Sequence, residues 1–163
     1  MSYQGDLWEK VVFRGINSAT LDAKGRMALP TRVRELVAEL SGGQLVVTID
    51  TRERCLLLYP LSLWEEVQRK LENLPNVNPR SRTLQRLLIG HATDLEPDAN
   101  GRVLLPQKLR EYAELDKKLV LVGQGNKVEI WSEPRWEARM EEWLSDDSVA
   151  ELAGAEEFTG LSV

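Results

Sequence analysis

Two arginines, each four residues after an aspartate and one after a glycine, are the side chains of this sequence best placed to do chemistry: Asp22-Ala-Lys-Gly-Arg26 and Asp98-Ala-Asn-Gly-Arg102. A guanidinium is a planar fork of donors that can grip a guanine edge or a phosphate through two parallel hydrogen bonds. Asp in the first place and Gly in the fourth suit a type I turn whose exit needs positive φ. On this reading each Asp clamps its own loop backbone, each Gly supplies the permitted conformation, and each Arg emerges at the rim. Asn100-Gly101 alone also fits a two-residue type I′ hairpin, which Lys24-Gly25 fits less well. The plain alternative is that each Arg merely pairs with the Asp four residues before it.

The two loops belong to a longer echo. Residues 22–30 return as 98–106, seventy-six positions later, and Arg32-Val-Arg-Glu-Leu36 returns as Lys108-Leu-Arg-Glu-Tyr112. The period is too long for a solenoid, so two copies of a strand–loop–strand–helix unit predict one pseudo-symmetric body that presents the same loop twice. Such a body suits a repetitive partner, for instance a duplex.

The elements that must carry the loops follow from periodicity. Residues 13–21 and 26–29 read as strands, and Pro30 stops the ladder within the first turn of a helix. There Val33, Leu36, Val37 and Leu40 keep the spacing of a buried stripe, and Ser41-Gly42-Gly43 ends it. Residues 45–49 and 56–59 are strands around a charged turn. Ser62-Leu-Trp-Glu65 has the capping-box pattern of a helix start, and Asn78-Pro79 opens another helix with Leu84, Leu87 and Leu88 on one side. The second half repeats the order, with a strand at 102–105, a helix at 106–114, and strands at 119–122 and 128–131. Ser132 opens a last long helix with Trp136, Met140 and Trp143 or Leu144 facing inward, and Trp136 sits where Trp64 sits in the first half. The implied divisions are an extension at 1–12, repeats at 13–77 and 78–144, and an acidic tail at 145–163.

At 163 residues, 42% hydrophobic and 29% charged, the chain has the totals of an ordinary globular protein. No apolar run approaches the roughly 20 residues of a membrane helix, and no basic-then-apolar leader opens it. The single Cys55 lies in the apolar run Cys55-Leu-Leu-Leu-Tyr59, which predicts a buried strand thiol and a reducing, cytoplasmic home. The net charge of −5 argues against nucleic acid only until its distribution is considered. Residues 133–163 hold nine acidic and two basic residues, leaving +2 on residues 1–132. Arg80, Arg82 and Arg86 add a basic cluster between the copies. Binding follows the local field, so an acidic tail elsewhere is no veto.

The stretches Phe13-Arg-Gly-Ile, Leu21-Asp-Ala-Lys-Gly-Arg26 with Pro30, Leu84-Gln-Arg-Leu-Leu with Gly90-His-Ala, Asp98-Ala-Asn-Gly-Arg102, and Leu121-Val-Gly-Gln124 with Trp131 together resemble the MraZ family of bacterial transcriptional regulators. The resemblance spans residues 13 to about 143. It implies an α+β fold, a double-split (swapped-hairpin) β-barrel of AbrB type built from the two halves of one chain, with flanking helices. It also implies a ring-like homo-oligomer in the cytoplasm and on the nucleoid. The partner it implies is double-stranded DNA, as tandem repeats in the promoter of the division and cell-wall gene cluster, with repression as the outcome. The family's DNA-binding Asp and Arg carry over to Asp22, Arg26, Asp98 and Arg102. Lys24 is expected at a phosphate, and Asn100 either holds its turn or meets a base edge. Family members begin with Met directly before Phe-Arg-Gly, where this chain has Val12, which marks residues 1–12 as an extension.

Two other classes compete. As an enzyme, Asp22 and Asp98 would be a carboxylate pair for acid–base work, but the turn pattern already accounts for both. His91, after Gly90 at a helix end, reads as satisfied or solvent-facing. The sequence shows no metal-ligand cluster, phosphate-binding loop or nucleophile with its base, so no catalytic residue, metal, cofactor or small-molecule ligand is expected. As a protein-interaction module or ring scaffold without DNA readout, the chain would offer Glu141-Glu142, Asp146-Asp147 and Glu156-Glu157 to a basic partner.

Overall fold

The apolar runs 45–49 and 56–60 form strands buried on both sides, and alternation sorts their residues into two cores. Leu45, Val47, Ile49, Leu56 and Leu58 enter one, with Met27, Val103 and residues of the second half. Val46, Leu57 and Tyr59 enter the other, against Leu63, Trp64 and Leu71. A computed structural model describes residues 12–156 and 160, so all but the last residue of the expected 1–12 extension lies outside the described residues.

The chain divides into two units, Met1–Ser132 and Glu133–Val163. In the first, β1 (Ile16–Thr20), β2 (Arg26–Ala28), α1 (Thr31–Ser41), β3 (Leu45–Ile49) and β4 (Leu56–Pro60) form one half. Helices α2 (Leu61–Glu72) and α3 (Pro79–Leu88) connect to the other, made of β5 (Thr93–Leu95), β6 (Arg102–Leu104), α4 (Gln107–Tyr112), β7 (Lys118–Gly123) and β8 (Val128–Ser132). The second unit holds α5 (Glu133–Trp143) and α6 (Asp146–Ala153).

All strand pairs are antiparallel, and the halves interlock. A six-stranded sheet runs β1-β7-β8-β4-β3-β5, so each half lends its first strand to the other half's third. The remaining strands, β2 and β6, pair with each other in a two-stranded ribbon, with Met27 opposite Val103, Arg26 opposite Leu104 and Ala28 opposite Arg102, and an isolated bridge from Leu21 to Met27 ties β2 to the residue after β1. Both pairings are invariant to a half-turn that exchanges the two halves. Register matches Arg26 to Arg102, Leu45 to Leu119 and Pro60 to Ser132, so the offset shrinks from 76 to 74 to 72. The first half therefore holds two extra residues before β3 and two more in the turn after it.

Several expectations need correction. The strand hydrogen bonds do not close a barrel: the sheet ends at β1 and β5, and the β2–β6 ribbon is separate. Ser62 forms no capping box. Helix α2 already begins at Leu61, and the Ser62 hydroxyl bonds the Leu40 carbonyl at 3.0 Å, with its amide on Ser41 Oγ at 3.0 Å. Pro30 and Pro106 stand one residue before their helices rather than within the first turn. In α5 no residue is fully buried, and Leu144 beyond it is 62% exposed. Helix α6 lies in the stretch expected only as an acidic tail. The Asn78 cap is as expected, its side chain accepting the Arg80 amide at 2.9 Å.

Candidate nucleic-acid interface

Each duplicated loop is a type I turn closed by a glycine in the left-handed region. Gly25 N–H donates to the Asp22 carbonyl at 3.0 Å and Gly101 N–H to that of Asp98 at 2.9 Å, with φ of +88° and +73°. The Asp side chains staple the turns. Asp22 Oδ1 accepts the amides of Lys24 (2.9 Å) and Arg26 (2.8 Å). Asp98 Oδ1 accepts those of Asn100 (2.8 Å) and Arg102 (3.0 Å). Hydrogen bonding by the Arg26 amide holds the Asp22 carboxyl below its ordinary range, and the Arg102 amide does the same for Asp98. Two carboxylates kept ionised in this way are anchors, and neither has the raised affinity for a proton that a general acid needs.

The arginines leave the loops on the β2–β6 ribbon, where alternation decides which way they point. Met27 and Val103 face inward at 0% exposure. Arg26, Ala28, Arg102 and Leu104, one position away, share the opposite, outward face. The ribbon thus brings both guanidinium groups to one side of the molecule. Each pairs with an Asp as the plain alternative required: Arg26 Nε donates to Asp22 Oδ2 at 2.9 Å, and Arg102 Nε stands 3.3 Å from Asp98 Oδ2. Arg102 also reaches across, its Nη1 3.9 Å from Asp22 Oδ2. Pairing through Nε orients the Arg26 fork without consuming it, and the terminal amino groups of Arg26 have no protein partner among the described residues, whereas Arg102 Nε approaches Asp98 without a hydrogen bond. Lys24 and Asn100 are exposed at the loop tips, and the backbone amide of each donates to Oδ1 of its own loop's aspartate.

Three features of this face escaped the sequence reading. Leu104 is 56% exposed between the arginines, an apolar contact on a polar face. The side chains of Arg34 and Arg110 lie over Gly101 and Gly25 respectively. Their matching places in the repeat were the only available signal.

Elsewhere, His91 Nδ1 lies 2.7 Å from the Leu87 carbonyl, a helix-end contact. Asp50, Cys55 and Glu129 bring potential ligand atoms within 4.8 Å of one another, a cluster the sequence reading did not anticipate. It is satisfied from inside. The Cys55 thiol donates to Asp50 Oδ2 at 3.6 Å and Trp131 Nε1 to Glu129 Oε1 at 2.9 Å, while burial pushes both the thiol and the Glu129 carboxyl up. No helix among the described residues is long and apolar enough to cross a membrane.

A family model described as "MraZ protein, putative antitoxin-like" matches residues 12–87 and 88–156. The chain is 57% identical over 141 residues to "Transcriptional regulator MraZ" of Marinomonas sp. (strain MWYL1), covering 86% of this chain and 93% of that one. The protein of the same name from Hydrogenovibrio crunogenus is 52% identical over 151 residues, covering 93% and 98%. That from Halorhodospira halophila is 49% identical over 152 residues, covering 93% and 100%.

Proposed function

This chain belongs to the MraZ family, and on that premise we propose that it is a DNA-binding transcriptional regulator. The observation that carries the reading is the shared outward face of Arg26 and Arg102 on the β2–β6 ribbon. The two arginines grip base edges or phosphates. Lys24 meets a phosphate, Asn100 a base edge, and Asp22 and Asp98 hold the forks in place. The exchange of first strands between halves supports a swapped-hairpin origin of the AbrB kind. The partner is promoter DNA carrying tandem short repeats, upstream of the division and cell-wall gene cluster. Occupancy there represses by excluding polymerase, in the cytoplasm at the nucleoid, and requires no cofactor or small ligand.

Two loops neutralise few phosphates, so one protomer binds weakly. A ring of protomers engaging successive repeats raises avidity about 10²–10⁴-fold. Each bidentate arginine contributes about 1–3 kcal/mol of discrimination. The test is a gel-shift titration on repeat-containing upstream DNA with Arg26→Ala, Arg102→Ala and the double variant. Each single variant is expected to weaken binding, and the double variant to abolish the specific complex. Unchanged affinity of the double variant would leave a protein-interaction scaffold as the function.

A further inference from the structure

Gly25 and Gly101 are each covered by a side chain from the opposite half. A Cβ added at Gly25 would lie 2.6 Å from Cζ and 2.7 Å from Nε of Arg110, which belongs to α4. One added at Gly101 would lie 2.6 Å from Cδ of Arg34, which belongs to α1. The backbone crosses in the same sense. The Leu105 amide donates to the Gly25 carbonyl at 2.9 Å and the Leu29 amide to the Gly101 carbonyl at 3.0 Å. Arg110 completes a knot by donating its Nε to the Leu105 carbonyl at 3.0 Å. Only a residue without a Cβ lets a side chain lie this close to the loop, and the positive φ at both positions favours the same residue.

We propose that Arg34 and Arg110 are positioning residues, each bracing the loop of the opposite half so that Arg26 and Arg102 are held in one fixed relation. The proposal rests on the DNA-binding reading above. A loop fixed before contact does not have to be ordered on binding, and that saving appears as affinity. Arg110 differs from the arginine it positions, because its Nε donates to a backbone carbonyl while that of Arg26 donates to the Asp22 carboxylate. The bracing is also unequal. Among the described residues no hydrogen bond like that of Arg110 fixes Arg34, so the first loop is the more firmly held.

The experiment uses the full chain with Arg110→Met and Arg34→Met, which keep an apolar stem over the glycine and remove the fork. In amide NMR spectra, Arg110→Met is expected to shift Lys24 and Gly25 while leaving Asn100 and Gly101 in place, and Arg34→Met to do the reverse. On the repeat-containing duplex each variant should bind about three- to tenfold more weakly, the scale of coupling between side chains in contact. The log–log salt slope should stay unchanged, because a brace displaces no counterion. Arg110→Met should combine less than additively with Arg26→Ala and additively with Arg102→Ala, a pairing that a general loss of stability would not produce. A slope shallower by about 0.9 would make the residue a phosphate contact and overturn the bracing role. Shifts in the loop of the same half, or equal shifts in both, would overturn the crossing. Should either Met variant fail to fold, Arg→Lys at the same position retains stem and charge without the fork and must give the same crossed shifts. If the unaltered protein binds no repeat-containing DNA, the functional reading falls, while the NMR pattern still decides the crossed bracing.

Discussion

At Asp22, Oδ1 accepts the Lys24 and Arg26 amides, while Oδ2 accepts Nε of Arg26 at 2.9 Å and stands 3.9 Å from Nη1 of Arg102. Asp98 makes the same two amide contacts but only a 3.3 Å approach to its own arginine. One carboxylate therefore serves both arginines. Replacement by Asn keeps an acceptor for the amides and removes the charge, so Asp22→Asn is expected to weaken binding to the repeat DNA more than Asp98→Asn. Equal losses in anisotropy titrations would contradict this. The same contacts set a pH dependence. Both carboxyls have native pKa values below the ordinary 3.8, so the order they give the loops is complete above that value and is lost as pH falls through the lower native one. Carboxyl-carbon NMR titrations should place both midpoints below 3.8, and a midpoint above it would mean that the amide staples are absent.

The ribbon that carries the arginines is only three residues long on each strand, too short to stand by its own hydrogen bonds. It is held from beneath by Met27 and Val103, both fully buried in the shared core. Met27→Ala should cost about 2–5 kcal/mol in urea unfolding, the usual cost of a large core truncation, and a loss under 1 kcal/mol would show that the ribbon is anchored elsewhere. Its two short strands were legible in the sequence, as were the turn chemistry of the loops, the α1 stripe and the helix start at Asn78. All of these are set by neighbours within a few residues. What was not legible depends on partners distant in sequence. Ser62 looks like a helix cap until Ser41 and the Leu40 carbonyl arrive from the end of α1. Arg34 and Arg110 look like solvated helix residues until the opposite half's glycine comes under them. The barrel implied by resemblance depended on how the edges β1 and β5 are partnered, and no local pattern fixes that.

Across the whole molecule the charge is divided by unit, with the acidic excess in residues 133–163 and a small positive balance before them. A negative field repels any duplex regardless of its sequence, over about one Debye length. Glu141, Asp147 and Glu151 are exposed contributors to it. Converting these three to the corresponding amides should tighten binding to a random-sequence duplex at low salt. The gain should shrink as salt rises toward 0.15 M, where the Debye length is about 8 Å. Anisotropy titrations at both salt levels would test this, and an unchanged affinity at low salt would show that the acidic unit plays no part in rejecting non-specific DNA.

Turning the ribbon end for end about the midpoint between Met27 and Val103 puts Arg26 where Arg102 was, and changes the strand surface on view only by exchanging Ala28 with Leu104. Duplexes read by twofold-symmetric proteins share this indifference to left and right. A protomer set on DNA along that line would sit equally well facing upstream or downstream, were it not that Ala28 stands where its counterpart is Leu104 and Lys24 where its counterpart is Asn100. Its heading on the double helix would then depend on one ammonium group and one isobutyl side chain.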